Sequence, residues 1–356
     1  MQSIISNQFP HLRVLHLLIL TLWGAMFLPA FAETPASAPA FNWTHETQSG
    51  PSPRQSSAMA YDSADGKVVL FGGVGASGKL LSDTWVWDGA RWTQEHPKTI
   101  PPGRYSEGIA YDAAQGKVVM FGGDVNPTNP FLKQLSDTWV WDGTNWTEEH
   151  PATSPPALFG IALAYDAADS KMVLYGALQD NKPPSFGHSE TWVWDGNNWA
   201  QEHPATNPFV FYDSSMAFNA ADGKLVLVGG FPHINDWVYF TYAWDGTNWT
   251  EEPGELLPDP NWTEVYDYPN QGVSLAYDSE QEKVVMVQQG YNPPFYSFRT
   301  SVWNGNNWTP ETPAESPMPR VGQAMAYDAA NKKVVLFGGF GSGSRLLGDT
   351  WVWGKP

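Results

Sequence analysis

Hydrophobic and polar positions fall into short runs along this chain, and the runs return in the same order. Between Pro51 and Pro97 a near-alternating stretch, Ser56–Asp62 (SSAMAYD), precedes a continuous apolar run, Lys67–Gly73 (KVVLFGG). Asp83–Trp87 (DTWVW) and Arg91–Glu95 (RWTQE) follow. Runs this short, rich in β-branched and aromatic residues and bounded by Gly and Asp, predict strands, here called a, b, c and d. Strand b is apolar on both faces at Val68, Val69, Leu70 and Phe71, so its sheet must be covered on both sides. Asp62 to Gly66 and Asp88-Gly89 supply the hairpins, because Gly accepts positive φ and Asp caps a turn.

The order a–b–c–d recurs to the C-terminus. The last tryptophan of strand c stands at Trp87, Trp141, Trp194, Trp244, Trp303 and Trp353, at spacings (by subtraction) of 54, 53, 50, 59 and 50. Such a period marks stacked units that share one core. Four antiparallel strands per unit, each sheet sandwiched between two others, is the arrangement of a β-propeller. The sixth copy stops at Trp353-Gly354-Lys355-Pro356 without a strand d. The missing piece stands at the other end: Phe41–Glu46 (FNWTHE) matches Thr144–Glu149 (TNWTEE). The expected fold is all-β: a six-bladed β-propeller of four antiparallel strands per blade, its last blade closed by an N-terminal strand.

A Gly-Gly pair closes strand b at Gly72-Gly73, Gly122-Gly123, Gly229-Gly230 and Gly338-Gly339, and tryptophans stand on strands c and d. With these features and this period, the chain resembles the kelch-repeat family, in particular its secreted, bacterial-type, galactose-oxidase-like propellers. Units three and five depart from the pattern with Gly176-Ala177 and Gln288-Gln289. The resemblance implies that a ligand sits on the face carrying the d–a and b–c loops. Some secreted relatives are copper radical oxidases, whose chemistry needs a cysteine-crosslinked tyrosine. This chain has no cysteine, so neither that site nor any other cofactor or metal is expected.

Composition narrows the picture further. Nineteen tryptophans and a net charge of −18 argue against disorder in the repeat and disfavour nucleic acid and anionic membranes as partners. Met1–Ala32 reads as a signal peptide: Arg13 ends a weakly basic start, Val14–Leu28 is apolar, and Ala30-Phe31-Ala32 offers a small-residue cleavage site. Residues 33–40 are expected to be a flexible linker and residues 41–356 the propeller. A secreted or periplasmic monomer, off the membrane after cleavage, is the expectation.

The d–a and b–c loops vary between units, as a binding surface does. Arg54, Arg104 and Arg320 enter strand a in units one, two and six, which adjoin in a closed ring. Units three to five carry Leu158, Phe211 and Asn270 there, beside aromatic loops containing Trp237, Tyr239, Tyr291 and Tyr296. The face is thus expected to divide into a cationic and an aromatic arc that bind a glycan or extended peptide. Each arginine has a second reading, tying down its own loop through backbone carbonyls. Glu107 and Asp213 are weak catalytic candidates: they are the carboxylates near the start of any strand a, where other units are mostly small or apolar. They serve the alternative reading, a sugar isomerase of the mutarotase or epimerase kind, with a scaffold for another secreted protein as the third.

Overall fold

The apolar runs form strands and the Asp/Gly clusters turn them. The computed structural model describes residues 40–356 apart from 129–132, 179–187, 210–211, 234–235, 254–271 and 293–294; the side chains of 212–213, 231–233, 236–238, 290–292 and 295 are also outside the description. The expected signal segment and all but the last residue of the linker fall outside it too. Strand β1 is Asn42–Glu46. Blade 1 comprises β2 (Ala58–Asp62), β3 (Lys67–Phe71), β4 (Thr84–Trp87) and β5 (Trp92–Glu95). Blade 2 comprises β6 (Gly108–Asp112), β7 (Lys117–Asp124), β8 (Gln134–Trp141) and β9 (Trp146–Glu149). Blade 3 has β10 (Phe159–Asp166), β11 (Lys171–Leu178), β12 (His188–Trp194) and β13 (Trp199–Glu202). Blade 4 has β14 (Tyr212–Asn219), β15 (Lys224–His233), β16 (Asp236–Trp244) and β17 (Trp249–Glu251). Blade 5 has β18 (Ser274–Asp278), β19 (Lys283–Asn292), β20 (Phe295–Trp303) and β21 (Trp308–Pro310). Blade 6 adds β22 (Arg320–Val321), β23 (Ala324–Asp328), β24 (Lys333–Gly341) and β25 (Arg345–Gly354).

Each sheet is antiparallel in the order a–b–c–d, and in blade 6 the outer strand is β1, which pairs with β25 through Trp43 opposite Trp353. The fold is a six-bladed propeller closed by its N-terminal strand, as the repeat predicts. The a strands touch one another in sequence round the axis: β2 with β6, β6 with β10, β10 with β14, β14 with β18, β18 with β23, and β23 with β2. Strand b is buried along its length; Val68, Leu70 and Phe71 are fully covered, as are Val118, Met120 and Phe121. Six apolar clusters fill the spaces between sheets, each drawing on two adjacent blades.

One contact repeats at every blade junction. The strand-d indole N–H donates to a strand-c threonine hydroxyl of the preceding blade. Trp146 donates to Thr84, Trp199 to Thr138, Trp249 to Thr191, Trp308 to Thr241, Trp43 to Thr300 and Trp92 to Thr350, all at 2.8–2.9 Å. The cycle therefore runs through all six blades and closes on itself, the indole of blade 6 being Trp43 of the N-terminal strand. Each of these indoles also packs on the last strand-c tryptophan of its own sheet, with ring centroids 5.1–5.5 Å apart.

The N-W-T sequence at the c–d turn has a structural use. Asn42, Asn145 and Asn248 accept backbone N–H bonds from Glu315, Thr99 and Thr206 of the neighbouring loop. Asn198 does the same for Ala152 although no threonine follows its tryptophan. The turn asparagine thus holds the adjacent blade, whether or not the glycosylation triplet is complete.

Deleting residues 41–48 removes the Trp43 ring and the bond to Thr300 together. Loss of a buried tryptophan costs roughly 3–5 kcal/mol, so a fall in melting temperature of about 10 °C is expected. Thr300→Val, which leaves the Trp43 N–H without its partner, should cost about 1–3 kcal/mol. Differential scanning calorimetry measures both, and an unchanged melt after the deletion would speak against this closure.

Candidate functional site

Strand a changes direction just before it enters its blade. The residue six before the terminal Asp or Asn has positive φ in blades 1, 2, 3, 5 and 6: Ser56 (54°), Ser106 (55°), Gly160 (59°), Gly272 (48°) and Gly322 (62°). This left-handed residue kinks the chain just before the strand. The inward positions are Ser57, Glu107, Ile161, Ser214, Val273 and Gln323, one per blade. They line a funnel of about 570 Å³ at the mouth of the ring, on the face of the d–a and b–c loops. Below them the wall is apolar, with Met59, Ile109, Leu163, Met216, Leu275 and Met325. A polar collar above a hydrophobic throat suits a ligand that enters by one end.

Glu107 is the residue of the collar with the sharpest chemistry. It is 5% exposed, and neither carboxyl oxygen has a hydrogen-bond partner. The backbone N–H groups of Glu107 and Ala58 lie near enough to ease its charge, but neither makes a bond of good geometry. Burial dominates and pushes its pKa up to about 8; Arg104 opposes the shift and Asp124 adds to it. Asp124, the last residue of β7, is 7% exposed and also faces the funnel, with Oδ1 unpartnered. Burial pushes its pKa to about 7, against a hydrogen bond from Gln134. Room for the Glu107 side chain comes from glycine. A Cβ on Gly72, whose φ is 69°, would stand 2.7 Å from Glu107 Oε1 and from the Arg104 carbonyl oxygen. A Cβ on Gly123 (φ 98°) would stand 3.0 Å from that of Glu107.

The three arginines follow their second reading. Each is fully buried, and none lines the funnel. Arg54 grips Asp83 with two bonds of 2.7 and 2.8 Å and donates its remaining N–H groups to Ser52 O, Ser52 Oγ and Gly72 O. Arg104 does the same with Asp137, Pro102 O and Gly122 O, and Arg320 with Asp349, Met318 O and Gly338 O. Burial alone would raise the three aspartates, but their arginines, with Trp85, Trp139 and Trp351, hold them below the ordinary carboxylate range. The expected cationic arc is thus three internal clamps. Each clamp fixes a d–a loop to the start of strand c in its own blade. In the sequences of units three to five the two positions hold Leu158 and Glu190, Phe211 and Phe240, and Asn270 and Arg299, so the arginine–aspartate pair is not encoded there.

The sequence matches the family profile described as KLHDC2/KLHL20/DRC7 Kelch-repeats domain over residues 37–230, more than half of the chain. This protein belongs to the kelch-repeat family. Among solved structures it is similar to YjhT, with a TM-score of 0.59 and 14% identity over 85% of this chain and 95% of that one. It is also similar to the SapL1 lectin in complex with alpha methyl fucoside, with a TM-score of 0.49 and 15% identity over 85% of this chain and 96% of that one. At such identities the likeness is one of fold. No curated protein matches the chain by sequence.

The aromatic arc of this kelch propeller is described only in part. Tyr239 is buried at 9% exposure, and Tyr296 is half-buried. Phe298 meets Trp43 edge-on at 5.8 Å and so belongs to the blade 5–6 packing. Phe211 and the side chains of Asp213, Trp237 and Tyr291 lie outside the described residues. Asp213 occupies the register of the kink residue, one before the inward position that Glu107 holds in blade 2. Asp124 was not singled out from the sequence, because a residue after a Gly-Gly pair reads as loop.

Glu107 has a pH signature with a definite sign. Its folded pKa of about 8 exceeds the ordinary 4.5. The native state therefore keeps a proton that the unfolded chain releases, and stability falls as pH rises from the lower value toward the higher. Glu107→Gln preserves the shape and removes the ionisation. The variant is expected to match its parent near the unfolded Glu pKa and to melt above it near pH 8, as calorimetry at the two pH values reads directly. A difference independent of pH would mean that Glu107 is ionised throughout.

Proposed function

We propose that this kelch propeller is a non-catalytic recognition protein that takes one end of a glycan or extended peptide into the funnel. The observation that carries the reading is a concentration of unpaired buried polar atoms. Both oxygens of Glu107, Oδ1 of Asp124, Oγ of Ser214 and Oε1 of Gln323 have no partner, and all four residues line this one cavity. An unpaired buried polar atom costs on the order of 1–3 kcal/mol. A ligand that pairs them recovers that free energy on binding. The clamps support the reading by holding the d–a loops of blades 1, 2 and 6 rigid around the opening, which lowers the ordering cost of binding. The signal-like Met1–Ala32 supports action outside the cytoplasm, as a secreted or periplasmic monomer.

One observation favours a second reading. Glu107 at about 8 and Asp124 at about 7 stand just above and at neutrality in one cavity, within reach of general acid and base work. That pair would serve a sugar isomerase of the mutarotase or epimerase kind. The two readings part on turnover. Arrays of glycans and peptides are expected to retain the protein, and NMR of reducing sugars is expected to show no faster anomer exchange when it is added. Accelerated exchange that Glu107→Gln abolishes would decide for the isomerase. Retention on neither array would remove the recognition reading.

A further inference from the structure

We infer that the Glu107–Asp124 corner of the funnel seats a primary ammonium group of the ligand, an assignment that deepens the recognition reading and rests on it. The argument is one of donors and acceptors. Three atoms at this corner have no hydrogen-bond partner, Oε1 and Oε2 of Glu107 and Oδ1 of Asp124, and once the two carboxyls ionise all three accept. The two residues adjoin, since Tyr105 bridges to Asp124 while Gly123 faces the Glu107 backbone. A primary ammonium brings three N–H donors and no acceptor, which is the complement of that set. A neutral hydroxyl brings one donor and asks for one in return.

Among the described residues, no cation at the corner is free to compete. Arg104 is the cation whose charge acts on Glu107, and its guanidinium is spent on both oxygens of Asp137 and on the carbonyls of Pro102 and Gly122. The Tyr105 hydroxyl donates away from the corner, to the carbonyl of Asn126. The residues of blades 1 and 3 packed here, Ala58, Gly72 and Ile161, carry no ionisable group. No group of three metal-ligating side chains occurs among the described residues, so an organic cation suits the corner better than a metal ion. The elevated pKa values agree: two buried carboxyls without a counter-ion retain protons that an arriving cation displaces. Gln323 provides an independent marker of ligand space. It is 5% exposed, its amide donates to Gly272 O and Ser274 Oγ, and its Oε1 has no partner, in a residue that lines the same funnel two blades away. The ligand therefore carries a second donor beyond its ammonium. Amino sugars and peptide amino termini both meet that description.

Calorimetric titration of the full chain near pH 6.5, where an α-amino group is protonated, separates the sources. The probes are glucosamine against glucose, and alanyl-alaninamide against its N-acetyl form. At least one amine is expected to bind tenfold or more tightly than its neutral counterpart, and to release protons on binding in two buffers of different ionisation heat. The pair that shows the difference names the source. Glu107→Gln and Asp124→Asn, both checked by their melts, should each lose about tenfold in affinity for that amine (about 1.4 kcal/mol) and suppress the proton release. Equal binding of amine and neutral forms, or an amine affinity indifferent to both substitutions, overturns the ammonium assignment and leaves recognition of neutral ligands standing. If none of the four probes binds, the assignment falls, and the glycan and peptide arrays judge the recognition reading separately.

Discussion

Everything in this ring depends on one hydrogen bond made six times, five times buried and once half-buried, from a strand-d indole to a strand-c threonine of the preceding blade. Taken singly it contributes about 1 kcal/mol. Its weight lies in what accompanies it. Each ring brings roughly 150–250 Å² out of water, on the order of 4–6 kcal/mol at about 25 cal/mol per Å². The N–H must then find an acceptor, because an indole buried without one would give part of that back. Threonine serves both sides of the requirement: its β-branch suits the pleated strand, and its hydroxyl reaches the neighbour. Because the bonds form a cycle, the spacing of blades is set by six equal contacts, and the width of the axial funnel follows from that spacing.

The same contact explains what could be read from the chain and what could not. Tryptophan is rare enough for its period to stand out, and Trp43 could be matched to Trp146 across a hundred residues of sequence. The threonines carry equal structural weight and went unread, since Thr84 or Thr138 in a strand excites no attention. The arginine clamps were visible by half. Arg54, Arg104 and Arg320 recur in register, but their partners Asp83, Asp137 and Asp349 look like ordinary strand starts. The signal was the joint pattern: units with the arginine have the aspartate, and units without it have Glu190, Phe240 or Arg299. Glu107 was legible because a carboxylate stands where other units are mostly small or apolar. Asp124 was not, because the extension of β7 through Gly122-Gly123 depends on backbone conformations that a residue list does not display.

Two kinds of buried charge thus coexist within one blade, and they answer opposite demands. Arg104 and Asp137 satisfy each other so fully that they have nothing to offer a ligand; removing either partner would strand a charge, at a cost of several kcal/mol. Glu107 and Asp124 are a few residues away in the same sheet, yet they lack partners and are held near neutrality. The first pair serves the repeat, which is why it returns at blades 1 and 6. The second occurs only at blade 2, although Ser57 and Gln323 show that other side chains fit the same register. A feature that recurs with the period answers to the scaffold; one that breaks it, at a cost to stability, needs another account.

That cost points to function. Keeping a carboxyl buried and unpaired lowers stability as pH rises above the ordinary carboxylate range, and a serine at the position would avoid the penalty. The ring tolerates it because closure by β1 and the indole cycle stabilise the fold independently of the funnel. The collar is accordingly free to hold groups chosen for a ligand rather than for folding. The unpaired carboxyl oxygens of Glu107 and Asp124 are what a partner rich in N–H donors would satisfy, and nothing in the repeat itself calls for them.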